Sequence, residues 1–378
     1  MARPALQARA SKAFDYGLRQ RSDVELRLGK YVGQFAKDAQ SLHTQSNHAA
    51  REANMKALQM SNYGVPQDVV ELVDLPEPEA PGADDVLAAV EYAPINHSEI
   101  LKIIRRYPLL PASLPAGVGN EGVARILSVG RAVTGLKPGD RVIVPPTHSA
   151  WRERVVLPAA GLFALPGGAD PRQLSMLSIN PPTAALLLSE YVDLQPGEWV
   201  IQNAGNSGVG RSVIAVAKSR GLRTVSVVRR PELVDELRDQ GGDVVLLDAP
   251  ELAATVAKET ANAKIRLAID GVAGESTAAL SGCLAPGGCV VLYSIISGQP
   301  PVASGIDLIF RDIAVRGFWV YAPQFRSSPK LADGIKLGAQ LVAEGKLRVP
   351  IAATYPLASA ATALVHAQKG GKVLFAVA

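Results

Sequence analysis

The stretch Trp199-Val-Ile-Gln-Asn-Ala-Gly-Asn-Ser-Gly-Val-Gly-Arg211 decides the fold. Its first four residues form a short apolar run, which is typical of a buried parallel strand. The apolar-rich segment 212–218 then leads to Gly221, a helix stop. Three glycines lie between the two: Gly205, Gly208 and Gly210. A strand, a glycine turn and a helix in this order indicate the first βαβ unit of a dinucleotide-binding domain.

The glycine turn predicts where a pyrophosphate binds. Glycine lets the backbone turn sharply and approach a phosphate closely, and the following helix N-terminus stabilises negative charge. We therefore expect the turn to hold the cofactor through Asn206, Ser207, Gly208, Val209 and Gly210.

The end of the next strand predicts which dinucleotide is bound. The strand Thr224–Val228 is followed by Arg229 and Arg230, where an NAD-binding chain carries Asp or Glu for the ribose 2′-hydroxyl. Guanidinium groups bind a 2′-phosphate well. We expect Arg229 and Arg230 to select NADPH, although the same arginines would also serve simply to solvate a strand end.

Composition excludes several classes of protein. The chain has 378 residues, is 48% hydrophobic, and contains 34 Gly and 27 Pro, which is typical of a loop-rich α/β enzyme. No apolar stretch approaches the length of a membrane span. Cys283 and Cys289 give no disulfide framework and indicate a reducing compartment. No basic stripe interleaved with aromatic residues is present, so we expect no nucleic acid partner.

Residues 1–54 differ from the rest and account for the whole net charge of +4. We interpret them as a poorly ordered or mis-assigned extension, with Met55 as a candidate true start. The segment lacks the apolar core of a secretory signal. We expect a cytoplasmic protein; a mitochondrial transit segment stays open, because residues 1–14 have no acid and contain Arg3, Arg9 and Lys12.

The remaining chain divides into three parts. Residues 55–178 are rich in short strands and Pro/Gly turns, which predicts a barrel-like, mainly β catalytic domain. Residues 179–318 alternate strands with helices, which predicts a six-stranded, doubly wound parallel Rossmann domain. Residues 319–378 hold a helix near 331–344 and a strand at 372–375 that we expect to return to the first domain. The predicted class is α/β.

Several segments together resemble the medium-chain dehydrogenase/reductase superfamily, over essentially all of residues 55–378. They are Pro94-Ile95-Asn96, Tyr107-Pro108, Gly119-Asn120-Glu121-Gly122, Asn180-Pro181-Pro182-Thr183-Ala184, the glycine turn and Arg316-Gly317-Phe318-Trp319. Within the superfamily the sequence is most similar to the mitochondrial-type trans-2-enoyl thioester reductases of fatty acid synthesis. The resemblance implies NADPH-dependent reduction of the C2=C3 bond of an enoyl thioester carried by coenzyme A or acyl carrier protein, by a homodimer.

One departure from the wider superfamily concerns zinc. Zinc alcohol dehydrogenases carry a Gly-His-Glu segment whose histidine binds the metal, whereas this chain has Gly119-Asn120-Glu121. Catalytic zinc needs three N, S or O protein ligands in register. His97, His148 and His366 have no such spacing, so we expect a metal-free enzyme.

The resemblance implies a role for Tyr107, which aligns with the tyrosine that the family uses in protonation or in positioning the substrate. A phenol can donate a hydrogen bond to a developing enolate and then a proton. Arg105 and Arg106 would lower the pKa of Tyr107 if they faced it. The alternative is a loop tyrosine that packs against Pro108.

Other site residues follow from the same resemblance. Asn96, as a second catalytic residue, and Asn120, in the substrate pocket, are candidates to fix Tyr107 or the nicotinamide amide, or are simply turn residues. Trp319 is expected to wall the acyl pocket, or to be interdomain core. Asn180 is a candidate cofactor ligand. Thr183, predicted to open a helix after two prolines, would cap that helix or contact the cofactor.

A basic cluster near the domain junction is a candidate for the phosphates of the thioester carrier: Arg311, Arg316, Arg326 and Lys330. Two functional alternatives stay open. One is an NADPH:quinone or enone reductase of the same superfamily. The other is a catalytically silent NADPH-binding protein, against which the presence of Tyr107 argues.

Overall fold

A computed structural model describes residues 54–377 of the chain. The predicted extension therefore lies outside the described residues, apart from Asn54, which opens the first strand. The described part contains one parallel sheet of six strands, a second, mainly antiparallel sheet of six strands, and a three-stranded sheet. The predicted α/β class is confirmed, because the parallel sheet and the mainly β region are separate in the structure.

The mainly β region begins with seven strands. They are β1 (Asn54–Met60), β2 (Val70–Pro76), β3 (Asp85–Ile95), β4 (Ala116–Gly117), β5 (Gly122–Val129), β6 (Arg141–Val144) and β7 (Arg154–Pro158). Strand β3 is central, because it pairs with both β5 and β7. Its alternate residues Val86, Ala88 and Val90 are fully buried, as period-2 patterning requires.

Three short helices belong to this half of the chain. They are α1 (Pro66–Val69), α2 (His97–Ile103) and α3 (Pro171–Leu174). Helix α2 follows β3 directly, and the Asn96 N–H donates to the Glu99 carboxylate across its first turn, at 3.0 Å. This bond supplies an acceptor for a donor that a helix start leaves unpaired. The helix ends four residues before Tyr107 and so determines where that residue lies.

The parallel sheet confirms all six predicted strands. They are β8 (Trp199–Gln202), β9 (Arg223–Val228), β10 (Val244–Leu247), β11 (Leu267–Asp270), β12 (Cys289–Leu292) and β13 (Ala314–Gly317). Their order is β10-β9-β8-β11-β12-β13. The chain therefore reverses direction across the sheet between β8 and β11, and ligands of such sheets bind at that crevice.

Helices cover the two faces of this sheet. They are α4 (Asn180–Leu187), α5 (Gly208–Ser219), α6 (Leu233–Asp239), α7 (Leu252–Glu259), α8 (Glu275–Gly282), α9 (Gly305–Phe310), α10 (Pro323–Arg326) and α11 (Pro329–Ala343). The predicted helix near 331–344 corresponds to α11. No helix in residues 54–377 is long and apolar enough to span a bilayer.

Helix α4 corrects one prediction. It begins at Asn180, and Ile179 occupies the position before it. Proline is tolerated in the first turn because its missing N–H would have no partner there. Pro181 and Pro182 therefore lie inside the helix, and the prediction that Thr183 opens or caps it is wrong.

The last part of the chain returns to the mainly β region. Strand β14 (Ile351–Pro356) and helix α12 (Ala360–Lys369) lead to β15 (Lys372–Ala376), which pairs with β3 and with β14. Phe375 packs edge-on against Trp151 in the core, with ring centroids 5.0 Å apart. This pairing brings Lys372 beside the start of α2. The domain boundaries at 178/179 and 318/319 stay predictions.

Candidate active site

Tyr107 and Trp319 meet, although 212 residues separate them in the sequence. Tyr107 follows α2, and Trp319 follows β13. The indole Nε1 of Trp319 donates a hydrogen bond of 2.9 Å to the Tyr107 hydroxyl, and the rings are edge-on at 79°. Because the hydroxyl oxygen accepts this bond, its own proton remains to be donated. Tyr107 can therefore offer an O–H to a substrate oxygen.

The surroundings of Tyr107 keep it protonated. Burial raises the pKa of Tyr107, the hydrogen bond from Trp319 lowers it in part, and the nearby Glu99 carboxylate raises it further. Arg105 and Arg106, which would lower the pKa of Tyr107 if they faced it, are not among the groups that shift it. The Arg105 guanidinium instead lies 5.3 Å from the centre of the Tyr63 ring.

A buried polar cluster lies beside α2 and contains the predicted Asn96. Asn96 Nδ2 donates to Glu121 Oε1, and Lys372 Nζ donates to Asn96 Oδ1, each at 2.6 Å. Burial raises the pKa of Glu121 to about 7, while Lys372 and Asn96 oppose that shift. Burial also lowers the pKa of Lys372. Both ends of the Asn96 amide are therefore occupied by ionisable partners, and we find no bond from it to Tyr107 in residues 54–377.

Asn120 belongs to the same cluster and contacts two residues of α2, Glu99 and Lys102. It is 5% exposed, its backbone N–H donates to Glu99 Oε1 at 2.9 Å, and Lys102 Nζ donates to its side-chain oxygen. Burial raises the pKa of Glu99 and lowers the pKa of Lys102. Lys102 and Glu99 both belong to α2.

Two polar atoms near this cluster have no hydrogen-bond partner among the described residues: Glu121 Oε2 and the Tyr321 hydroxyl. The Tyr321 ring packs edge-on against Trp319, with centroids 6.2 Å apart. Burial raises the pKa of Tyr321 well above its usual value, and the charge of Glu121 adds to the shift. Unpartnered buried polar atoms mark a place where a ligand group or water is expected.

The sequence interpretation missed several residues of the cluster: Glu99, Lys102, Glu121 as an ionisable group, Lys372 and Tyr321. One signal was available, since Lys372 is a charged residue at the start of an otherwise apolar strand. The others lie on helix α2 or in loops, where charged residues are ordinary and carry no pattern.

The glycine turn has the form that a pyrophosphate site needs. Ser207 caps α5, since its Oγ accepts from the Gly210 N–H at 3.0 Å. A Cβ on Gly208 would lie 2.6 Å from Asn180 Nδ2, which itself has no partner, and a Cβ on Gly210 would lie 2.6 Å from the Ala204 carbonyl oxygen. Only glycine fits at position 210, where the clash is with backbone, whereas a side chain at position 208 would displace the Asn180 amide. The turn, the helix terminus and Asn180 therefore fit a dinucleotide.

The buried side chains of Gln202 and Asn203 hold the glycine turn against the parallel sheet. Gln202 Nε2 donates to the Gly210 carbonyl at 2.9 Å and to Ser226 Oγ at 3.0 Å. Asn203 Nδ2 donates to Asp270 at 2.6 Å. The backbone that would approach the phosphates is thus held by both neighbouring strands.

The other predicted cofactor residues differ in exposure. Arg229 and Arg230 are exposed at the end of β9, and Arg230 lies 3.7 Å from Glu232. Val209 is buried in the core, so only its backbone can meet a cofactor. Thr183 is buried in α4.

The basic cluster predicted for the carrier phosphates is corrected in two places. Arg311 pairs with Asp307 at 2.5 Å, and Lys330 pairs with Glu190 at 2.7 Å. Their charges are already compensated within the protein. Among residues 54–377 no group of His, Cys, Asp and Glu side chains is arranged to hold a metal ion.

Two family models match the chain. An alcohol dehydrogenase GroES-like domain matches residues 82–167, and a zinc-binding dehydrogenase domain matches residues 208–335. The mitochondrial enoyl-[acyl-carrier-protein] reductase of Rattus norvegicus is 38% identical over 338 residues, which are 86% of this chain and 89% of the rat protein. The Homo sapiens protein of the same description is 39% identical over 333 residues, covering 85% of this chain and 87% of its own.

Solved structures of similar proteins have the same fold as this chain. The Etr1p/NADP/crotonyl-CoA complex is 26% identical with a TM-score of 0.78, covering 86% of this chain and 100% of that one. The mitochondrial 2-enoyl thioester reductase Etr1p/Etr2p heterodimer from Candida tropicalis is 27% identical with a TM-score of 0.76 over the same shares. A putative NADPH:quinone reductase from Bacillus thuringiensis also reaches 0.76, at 25% identity over the same shares. The overall fold alone does not separate the two activities.

Proposed function

The chain belongs to the family of the mitochondrial enoyl thioester reductases, within the medium-chain dehydrogenase/reductase superfamily, and from this premise we propose which of its residues carry out the reaction. The enzyme reduces the C2=C3 double bond of trans-2-enoyl thioesters with NADPH. When bound, NADPH supplies the hydride that C3 receives. The protein must orient the two reactants, stabilise the negative charge on the thioester oxygen and provide a proton for C2.

Tyr107 is the residue that stabilises the negative charge on the thioester oxygen and provides the proton for C2. The observation that carries this assignment is its hydrogen bond from Trp319, which turns the phenol into a donor of fixed direction. A tyrosine whose pKa is raised stays protonated at neutral pH, so its O–H is available to the enolate oxygen. Trp319 orients Tyr107 and forms a wall of the acyl pocket. Asn96 and Asn120 contribute the polar side of the site through their hydrogen bonds to the ionisable residues of the cluster.

The cofactor is held by the glycine turn and by the end of β9. The backbone of Asn206, Ser207 and the following residues would hold the pyrophosphate at the start of α5, where the helix terminus would stabilise its charge. Asn180 has an amide NH₂ with no partner, close to the same turn. Arg229 and Arg230 are exposed where the 2′-phosphate of NADPH would lie.

The thioester carrier is coenzyme A or an acyl carrier protein. The curated relatives are named as enoyl-[acyl-carrier-protein] reductases, and the Etr1p complex contains crotonyl-CoA. Within the predicted basic cluster, Arg316 and Arg326 are both exposed, and this exposure supports a contact with the carrier.

A homodimer is supported by an apolar surface at one edge of the parallel sheet. Strand β13 pairs with β12 on one side, and no other described strand pairs with it. Nearby helix α9 exposes Ile306, Ile309 and Phe310, at 66%, 74% and 79%. An unpaired strand edge beside exposed apolar side chains suits a second copy related by a two-fold axis.

The compartment follows the relatives, which are named as mitochondrial, and the expected cytoplasmic location has no support from them. The acid-free residues 1–14, with two arginines and one lysine, are consistent with mitochondrial import. A fluorescent protein fused after the full chain should reach mitochondria, whereas a fusion that lacks residues 1–54 should stay outside.

A panel of acceptors tests the activity. Purified protein with NADPH should oxidise the cofactor in the presence of crotonyl-CoA and a long-chain enoyl-CoA, and much more slowly with a naphthoquinone. Quinone turnover without thioester turnover would instead assign the quinone reductase activity. Tight NADPH binding without turnover of any acceptor would identify a silent NADPH-binding protein.

A further inference from the structure

Lys102 on helix α2 points at the site without belonging to the residues that the reaction requires. Its Nζ donates a hydrogen bond to the side-chain oxygen of Asn120. An ammonium group can only donate. The oxygen of the Asn120 amide must therefore face Lys102, and its NH₂ group must face the other way.

The comparison with Asn96 shows why this direction matters. Asn96 uses both ends of its amide, because its oxygen accepts from Lys372 and its NH₂ donates to Glu121. Asn120 uses only its oxygen, and no acceptor for its NH₂ is found in the part of the chain that the structure describes. The backbone N–H of Asn120 is also fixed, by Glu99. The Asn120 carboxamide is thus fixed in direction, and its NH₂ group remains able to donate a hydrogen bond.

Asn120 and Tyr107 are both linked to helix α2 and to Glu99 on it. Glu99 accepts from Asn120 and is also the carboxylate whose charge acts on Tyr107. Lys102 and Tyr107 lie at the end of α2 and shortly after it, so one short segment places both. Charge that develops on a thioester oxygen is stabilised best by two preorganised donors.

Resting on the proposed reductase function, we propose that Lys102 is a positioning residue: it orients the Asn120 carboxamide so that the NH₂ of Asn120 joins the Tyr107 hydroxyl in donating to the thioester oxygen. Without Lys102 the amide can rotate by 180° and present its oxygen, which repels the enolate. The alternative is that Lys102 serves only structure, through its electrostatic attraction to Glu99.

A set of variants separates the two explanations. Lys102→Met removes the donor, Lys102→Arg keeps a cationic donor, and Lys102→Gln tests a neutral group that can donate or accept. We expect Lys102→Met to lower kcat with crotonyl-CoA by roughly 10- to 100-fold, part of what losing one such donor costs. NADPH affinity, measured by fluorescence titration, should be unchanged. Lys102→Arg should retain kcat within about threefold, and Lys102→Gln should lie between.

A double-mutant cycle with Asn120→Ala decides the matter. If Lys102 acts through Asn120, then Lys102→Met should cost no further activity once Asn120 is alanine. An equal loss of kcat in both backgrounds, or wild-type kcat in Lys102→Met, overturns the inference. If Lys102→Met does not fold, the same comparison with Lys102→Gln replaces it. The proposed function is judged separately, by whether the wild type reduces crotonyl-CoA at all; if it reduces only a quinone, the inference fails because no thioester oxygen is present.

Discussion

The indole N–H of Trp319 and the hydroxyl oxygen of Tyr107 form a hydrogen bond of 2.9 Å that joins the end of the parallel sheet to the loop after α2. The bond connects two regions of the chain that each contribute a residue to the proposed site. Nicotinamide is expected beside the first and the acyl thioester beside the second, so the pair lies where the two reactants must meet.

Replacing Tyr107 with phenylalanine tests the proposed proton donor. The ring and its packing remain, while the O–H is lost. We expect kcat with crotonyl-CoA to fall by roughly 100- to 1000-fold, the range for a lost acid or oxyanion donor. NADPH affinity should hardly change. Tyr63→Phe, in a tyrosine beside Arg105, is the matched control and should keep full kcat. Nearly full activity in Tyr107→Phe would reduce Tyr107 to a packing residue.

Trp319→Phe tests the orientation of Tyr107. It removes the hydrogen bond and keeps an aromatic wall. A neutral hydrogen bond contributes about 0.5–1.5 kcal/mol, so kcat should fall by roughly 2- to 12-fold. In the Tyr107→Phe background the same change should have little further effect, since the accepting oxygen is gone. Steady-state kinetics of the four proteins measure this, and additive losses would show that Trp319 acts independently of Tyr107.

Arg229 and Arg230 are tested by the choice of cofactor. Replacing both with alanine should raise KM for NADPH by a factor of ten or more, through the loss of about 1.5–3 kcal/mol of charge-assisted hydrogen bonding. NADH kinetics should hardly change, because NADH has no 2′-phosphate. Arg223→Ala, at the other end of β9 and stacked on Trp199, is the control. Equal losses with both cofactors would exclude phosphate recognition.

Glu121 predicts a dependence of stability on pH. Burial raises its pKa from 4.5 to about 7, so the folded protein binds this proton more tightly than the unfolded chain. The stability that this proton contributes is complete below pH 4.5 and is lost as the pH rises to about 7. The free energy of unfolding of wild type minus that of Glu121→Gln should therefore decrease across this window, by on the order of 1–3 kcal/mol. Urea unfolding at several pH values measures the difference, and parallel curves would contradict it.

The exposed apolar residues of α9 test the dimer. Phe310→Glu places a charge in the proposed interface, where it would be buried without a partner. We expect sedimentation equilibrium to give a dimer for the wild type and a monomer for the variant. Leu127→Glu, at a residue 44% exposed on β5, should leave the dimer intact. A monomeric wild type would exclude the homodimer.

Local pattern was enough to predict the parallel sheet and the glycine turn. Strand β8, its turn and α5 are contiguous, and their periodicity and glycines are visible within a short stretch of sequence. Thr183 differs from its predicted position because proline is accommodated in the first turn of a helix, so α4 already begins at Asn180.

The polar side of the site could not be predicted in the same way. Lys372 contacts Asn96, which is 276 residues away in the sequence, because β15 pairs with β3. Neither local sequence contains a pattern that predicts this contact. The direction of the Tyr107 pKa shift depends on burial and on Glu99, which only the folded arrangement reveals. The resemblance to a family predicted Tyr107 and Trp319 as site residues, whereas their hydrogen bond is visible only in the structure.

The return of β15 to β3 has a consequence for the order in which the enzyme matures during synthesis. Lys372 leaves the ribosome after all other members of the polar cluster, so a nascent chain that already has its glycine turn still lacks the partner of Asn96. The region that holds the glycine turn is thus synthesised before the polar side of the site is complete. Strand β15 is the last element of the described chain to be synthesised, so the polar cluster closes only after the glycine turn and every other strand have been made.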